Sequence, residues 1–373
     1  MNAATANQRI AAIDVSRLVA AIGVLVFHVA GTSLMPKYKL PPFTVFGRTV
    51  DWMPSPFSFG ATGVSLFFVI SGYCMFRSLS GRPRPLAAYY RDRLARLYPI
   101  YAFAVILSAI LIARLHIAVA GEDVVLKLLF LHGFVQQYNL TFNGALWSMA
   151  TEVQFYLVLP LLMIWARRAG TDRFTTAAII GSLLFRAVVQ LTAGHTDTLG
   201  GIARDTLLMN MLPGRIAEFA VGMWIASNDS ERTRRFAWWL IIPGALLGIG
   251  AKAAGPAFVA EPMLGIFFGS LLVLALDQSR RFGSVAGPFA LLGRASYALF
   301  LIHLPIANSL ARLVPEGWPL YHRFGTLLVT TLGISIPLAL ALHLWVEMPL
   351  FDRLRASRNA KRPASAATDG GAP

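Results

Sequence analysis

Two ionisable residues inside one apolar run constrain this chain more than anything else in it. The stretch Ile10–Gly31, IAAIDVSRLVAAIGVLVFHVAG, is long and apolar enough to cross a bilayer, yet it carries Arg17 near one end and His28 near the other. On an α-helix the spacing of the two is about three turns plus roughly 20°, so they share a face and stand about 16 Å apart along the axis. Ionisable groups within a span cost roughly 2.5–3.5 kcal/mol each on insertion scales and are almost always turned to an interior or a water-filled cavity. This helix is therefore expected to form one wall of a polar channel, with a cation deep on one side and an imidazole near the other.

The rest of the chain agrees with a membrane setting. Of its 373 residues 56% are hydrophobic and 14% charged, against about 25% charged in soluble proteins. The mean hydropathy is +0.60. A net charge of +15 suggests nucleic acid at first sight. The basic residues, however, lie mainly in short connectors between apolar runs, which is the positive-inside pattern of a membrane protein and argues against a nucleic-acid partner. Cys74 is the single cysteine, so an intrachain disulfide framework and a cysteine-rich metal site are both excluded. The seven histidines are scattered, with no two on one span at i,i+4, and no metal is expected.

The predicted architecture is all-α and polytopic. Spans are read at Ile10–Gly31, Gly60–Phe76, Tyr98–Val119, Ala145–Ala166, Phe174–Leu191, Leu207–Ser227, Phe236–Ala253, Met263–Leu276, Pro288–Leu310 and Phe324–Val346. The run 124–135 is apolar but too short to cross, and is read as re-entrant or interfacial. Counting it as a span would place the basic tail outside; leaving it out gives ten spans with both termini cytoplasmic and the basic connector 77–96 inside. Residues 1–352 form the expected membrane domain and 353–373 a basic, disordered tail. Arg17 interrupts the apolar core that a cleavable leader would need, so the first helix is expected to stay as an anchor. No internal repeat is visible, which weighs against transporter folds built from inverted halves.

With this topology His28 faces the outer side, and Trp147, Ser148 and Glu152 enter from that side. Glu152 then lies at a depth similar to that of His28. A carboxylate beside a neutral imidazole fixes its tautomer and raises its basicity, which is what a general base needs. Several residues also have plainer readings. Arg17 pairs equally well with Asp14 one turn earlier, and Arg215 with Glu218 at i,i+3 is most simply a buried pair. Ser71 suits helix packing. His303 suits either site lining or an interhelical hydrogen bond. Glu347 suits tying down a basic loop.

In chain order, six blocks resemble the acyltransferase 3 family of integral membrane acyltransferases. They are Arg17-x10-His28; Gly63-Val64-x-Leu66-Phe67-Phe68-x-x-Ser71-Gly72; Arg93-x-x-Arg96 with Tyr98-Pro99; Leu146-Trp147-Ser148-x-x-x-Glu152-x-x-Phe155-Tyr156; Gly293-x-x-Ser296-Tyr297 with His303; and Glu347-x-Pro349. Each is weak alone, and together they cover nearly the whole chain. The resemblance implies transfer of an acyl group, often acetyl, from acyl-CoA to a hydroxyl of a carbohydrate or glycolipid acceptor at a bacterial inner membrane.

Residue spacing fits that implication. Arg93 and Arg96 share a helical face at the expected cytoplasmic surface and suit the phosphates of coenzyme A. The interval from Arg17 to His28, about 16 Å, is close to the reach of a pantetheine arm. His28 is then the expected base and Glu152 its orienting partner, with Ser71, Trp147, Ser148 and His303 lining the substrates. The competing readings are a proton-coupled secondary transporter using His28 and Glu152 as a relay, and a polysaccharide export partner without chemistry of its own.

Overall fold

The computed structural model describes residues 3–33, 43–45, 48–50, 56–80, 85–192, 198–199, 202–203, 207–208, 210–228, 230–254, 257–279 and 286–353. The expected tail 353–373 lies outside them except for Arg353. Long helices make up most of the described chain: α1 (Ala3–Ser33), α2 (Gly63–Ser80), α3 (Leu86–Arg114), the short α4 (Gly121–Leu128), α5 (Trp147–Ala169) and α6 (Thr171–Thr192). They continue with α7 (Leu212–Ser227), α8 (Glu231–Ala254), α9 (Ala260–Gln278), α10 (Ala286–Arg294), α11 (Ser296–Ala311) and α12 (Leu320–Leu342). Among the described residues the strands form two small antiparallel hairpins, Phe43–Val45 with Arg48–Val50 and Thr198–Leu199 with Ile202–Ala203.

Among the described residues seven helices are long and apolar enough to cross a membrane: 11–33, 59–80, 86–114, 144–169, 171–192, 260–278 and 320–353. Each corresponds to one of the ten expected spans. The other three differ for visible reasons. The helix Leu212–Ser227 has 16 residues, about 24 Å against a hydrocarbon core of about 30 Å. Glu231–Ala254 has 24 residues, with the charged run Glu231, Arg232, Arg234 and Arg235 ahead of the expected span and Pro243 and Lys252 within it. The expected span Pro288–Leu310 is broken at Ala295 into α10 and α11. The ambiguous run near 124–135 forms the eight-residue α4 followed by 3-10 turns, too short to span.

Large apolar side chains point outward in stripes, including Leu157, Leu161 and Trp165 on α5 and Trp239, Ile242 and Leu246 on α8. Such faces are stable only against hydrocarbon or another apolar surface. Inside, one core gathers Leu25, Phe68, Tyr101, Leu146, Phe155, Phe219 and Leu301 from seven elements. Helices α2 and α7 meet backbone to backbone. A Cβ on Gly72 would run into the carbonyl of Phe219, and one on Gly222 into that of Val69. Small residues in register are how membrane helices approach closely enough to pack without a hydrophobic driving force between them.

A third close approach sets the site. Gly293 at the end of α10 sits against the backbone of Asp14 on α1, leaving no room for a Cβ. That contact brings Arg294 and the start of α11 alongside Arg17, one turn from Asp14.

Candidate active site

Two polar regions lie at the two ends of the α1 face that carries Arg17 and His28. The arginine end is a cavity lined by Arg17, Arg93, Arg96, Arg294, Glu152 and Glu347, with Ser71, Cys74, Ser148, Tyr156 and Tyr297 also on its walls. Arg17 is held loosely. Its Nη1 is 4.0 Å from Asp14 Oδ1 and its Nη2 is 3.6 Å from the Cys74 sulfur. Arg93 Nε is buried with no hydrogen-bond partner among the described residues. Arg96 lies with its guanidinium 5.3 Å from the centre of the Phe351 ring. Four guanidinium groups thus converge on two carboxylates, an excess of positive charge suited to a polyanion.

Glu152 belongs to this cavity. Ser71 Oγ donates to its Oε1 at 2.9 Å, and the Tyr156 hydroxyl donates to the same oxygen. The expected contact between Glu152 and His28 is not formed. The reason is one of depth. A 3-10 turn at Gly144–Leu146 starts α5 at Trp147, which itself lines the hollow at His28, and Glu152 lies about 7.5 Å further along the helix towards Arg17. Glu347 is turned inward by a π-helical turn, His343–Glu347, where His343 Nδ1 lies 2.7 Å from Glu347 Oε2.

His28 has another partner. Its Nδ1 lies 2.9 Å from His303 Nε2, and His303 Nδ1 lies 3.2 Å from the carbonyl of Leu299. A carbonyl only accepts, so His303 carries its proton on Nδ1 and presents a bare Nε2. His28 must then donate from Nδ1, which leaves the lone pair on His28 Nε2 free. The second imidazole supplies the tautomer lock expected of a carboxylate. Of its two open readings, His303 takes the interhelical hydrogen bond.

Two hollows open beside His28. One is lined by Phe27, Ile112, Tyr138, Phe142, Trp147 and Asn308. The other is lined by Val24, Ser65, Trp147, Arg215, Lys252 and Glu261. Trp147 borders both. The Arg215 guanidinium sits 5.6 Å from its ring and 5.1 Å from that of Phe68. Arg215 is fixed in turn by Glu218 at 2.8 Å, the i,i+3 pair expected from spacing, and by Glu261 at 3.6 Å. Between the arginine cavity and His28 stands a thin aromatic partition. Phe67 meets Phe300 edge-on at 5.3 Å, Phe68 meets Trp147 edge-on at 6.4 Å, and Phe300 lies 5.9 Å from His303.

The connector before α5 walls the histidine end and is tightly held. Lys127 is fully buried, and its Nζ donates to Asp123 Oδ1, the Tyr138 carbonyl and Thr141 Oγ1, each at 2.6 Å. Burial, reinforced by the charge on Lys127, pushes His132 from its ordinary 6.5 down to about 4. The neutral ring donates from Nε2 to the Leu146 carbonyl at 3.1 Å. The unfolded connector takes up a proton below pH 6.5 that the folded one refuses until about pH 4, so its stability is lost as pH falls across that window. Hydrogen exchange over 121–146, corrected for intrinsic rates, is expected to quicken on acidification through it. The change should be absent in His132→Gln.

Of the residues singled out from sequence, Arg17, Arg93, Arg96, Ser71, Ser148 and Glu152 meet in one cavity, and His28, His303 and Trp147 meet at the other end. Arg294 and Cys74 were not anticipated there. Tyr156, at i+4 from Glu152, shares its helical face and was within reach of spacing alone.

Comparison with known proteins adds a family. The acyltransferase domain model of the acyltransferase 3 family matches residues 10–345. The acyltransferase MdmB of Streptomyces mycarofaciens is 26% identical over 336 residues, covering 82% of this chain and 85% of the relative. Nodulation protein 10 of Rhizobium leguminosarum bv. viciae is 24% identical over 340 residues, with the same coverages of 82% and 85%. The O-acetyltransferase OatA of Staphylococcus aureus is 22% identical over 380 residues, covering 91% of this chain but 56% of OatA, so the chain spans little more than half of that relative. No solved structure matches the chain.

Proposed function

Because this chain belongs to the acyltransferase 3 family and is an acyltransferase of a multi-pass membrane type, we propose that it moves an acyl group, acetyl in the simplest case, from acyl-CoA to a hydroxyl of an extracytoplasmic or membrane-linked glycan in a bacterial inner membrane. The observation that carries this reading is the division of one helix face. Four arginines gather at one end, and a histidine with a fixed, unprotonated Nε2 stands about 16 Å away at the other.

The donor enters from the arginine end, which faces the cytoplasm. Its phosphates lie against Arg17, Arg93 and Arg96, with Arg294 completing the ring of charge. Glu152 and Glu347 balance the guanidinium groups while the cavity is empty, and Ser71 and Tyr156 hold Glu152 in place. The pantetheine arm passes Ser148 and the aromatic partition, so that the thioester reaches His28. The acceptor approaches from the opposite side, with Trp147 offering its ring as a face for a sugar.

His28 Nε2 takes the hydroxyl proton as that oxygen attacks the thioester carbonyl. The tetrahedral centre collapses with loss of the CoA thiolate, which recovers the proton from His28. The new ester, free CoA and a neutral His28 balance the step. His303, fixed by the Leu299 carbonyl, stabilises the transient imidazolium by accepting the Nδ1 proton's hydrogen bond throughout.

The test is transfer of isotopically labelled acetyl from acetyl-CoA to cell-envelope glycan by purified protein in nanodiscs. Label is expected in alkali-labile glycan esters, with one free thiol released per ester formed. A protein that leaves acetyl-CoA intact while moving solute across sealed vesicles would be a transporter, and the proposal would fall.

A further inference from the structure

The hollow beside His28 does not end at the reactive histidine. It continues into a second one lined by Thr32, Asn308, Arg312, Glu316 and Arg323, and Ile112, Ile117 and Asn308 border both. The Thr32 hydroxyl, one turn beyond His28, lies 3.5 Å from Oδ1 of Asn308, which borders both. Arg312 caps α11 at its far end. Nine residues separate it from His303, roughly 13 Å along the helix axis.

The charge in this extension is not spent on the protein. Among the described residues neither Arg312 nor Arg323 has an acidic partner within ion-pair distance, although Glu316 lines the same hollow. Arg323 Nε is buried and has no hydrogen-bond acceptor. The position is also unusual for arginine. It lies at the end of α3 away from Arg93 and Arg96, beside Ile112 and Leu115, where the positive-inside bias gives no reason for basic residues. A buried guanidinium nitrogen without an acceptor, in a groove that runs to the reacting group, is what an anionic part of a substrate would complete.

We propose that Arg312 and Arg323 bind an anionic group of the acceptor, a sugar carboxylate or phosphate, and thereby present a hydroxyl about two helical turns away to His28. The acceptor is then an acidic or phosphorylated glycan. This rests on the acyl-transfer reading for its meaning, though the binding itself does not.

The experiment is arginine modification by phenylglyoxal on the full-length protein in nanodiscs, read residue by residue by mass spectrometry. Glucose, glucuronate, glucose 6-phosphate, inorganic phosphate and coenzyme A are added separately at equal concentration. Glucuronate or glucose 6-phosphate is expected to slow modification of Arg312 and Arg323 several-fold, and glucose to leave it unchanged. Which of the two acts distinguishes carboxylate from phosphate. Protection of Arg323 should be lost in Arg312→Gln. Equal reactivity in all samples would overturn the proposal, and protection by inorganic phosphate as strong as by either sugar would reduce the groove to an ion site and overturn its role in acceptor choice. Coenzyme A should protect Arg93 and Arg96 and not Arg312 or Arg323. If it fails to do so while the acidic sugars still protect the groove, the donor reading is lost and this one stands.

Discussion

His28→Ala is expected to lower acyl transfer by about 10²–10⁴-fold, the usual worth of a positioned general base. The substitution removes the nitrogen lone pair that the hydrogen-bond chain from Leu299 leaves free on a residue lining the same hollow as Trp147. It does not touch the arginine cavity, so the loss should appear in kcat with the donor KM nearly unchanged. His303→Ala should cost less. It deletes one hydrogen bond, worth roughly 0.5–1.5 kcal/mol net, and so up to about tenfold in rate. Its effect should include a shifted pH–rate profile, because the imidazolium at position 28 then lacks the acceptor for its Nδ1 proton. Thiol release from acetyl-CoA in the presence of envelope glycan measures both. Equal losses in the two variants would mean that the pair acts as a unit in which neither ring is merely supporting.

The largest effect on folding is expected from Glu261→Ala. Glu261 stands in the first turn of α9 and gathers three cations from three other helices: Arg186 of α6 by a direct ion pair, Arg215 of α7 at 3.6 Å and Lys252 of α8 at 3.1 Å. Arg186 also donates to the carbonyls of Phe258 and Leu208 at 2.9 and 3.0 Å, so its guanidinium cannot swing out to solvent. Removing the carboxylate takes away the counter-charge that Arg186 and Lys252 share, while Arg215 keeps Glu218, and breaking a buried pair in this way typically costs about 3–5 kcal/mol. Folded yield in detergent, followed by size-exclusion chromatography, should collapse. Glu261→Gln should recover part of it by keeping the hydrogen bonds. A Glu261→Ala protein that folds at the wild-type level would show that water or lipid headgroups already satisfy these cations.

Periodicity carried a good part of this description, and it failed where the chain leaves ideal helix. The common face of Arg17 and His28 follows from spacing within one helix, and so do the pairs Arg93 with Arg96 and Arg215 with Glu218. The link from His28 to His303 joins helices 275 residues apart, and nothing local specifies it. Glu152 lies deeper than expected, about 7.5 Å along α5 beyond Trp147, which itself lines the hollow at His28. The break at Ala295 is invisible in an apolar run that continues across it, yet it brings Arg294 to the cavity. The inward turn of Glu347 depends on a π-helical register that composition does not announce. Arg312 and Arg323 belong to none of the six blocks and lie eleven residues apart across a connector. Their shared hollow depends on how α1, α3, α11 and α12 pack.

Binding of coenzyme A by isothermal calorimetry, in wild type, Arg93→Gln, Arg96→Gln and His28→Ala, tests most directly the claim that the donor is held at one end of this helix face and transformed at the other. Removing one charge-assisted phosphate contact, worth about 1.5–3 kcal/mol, should weaken binding roughly tenfold or more in each arginine variant. His28→Ala should bind coenzyme A as wild type does. Undiminished affinity in the arginine variants, or affinity lost with His28 alone, would contradict the division of labour on which the whole account depends.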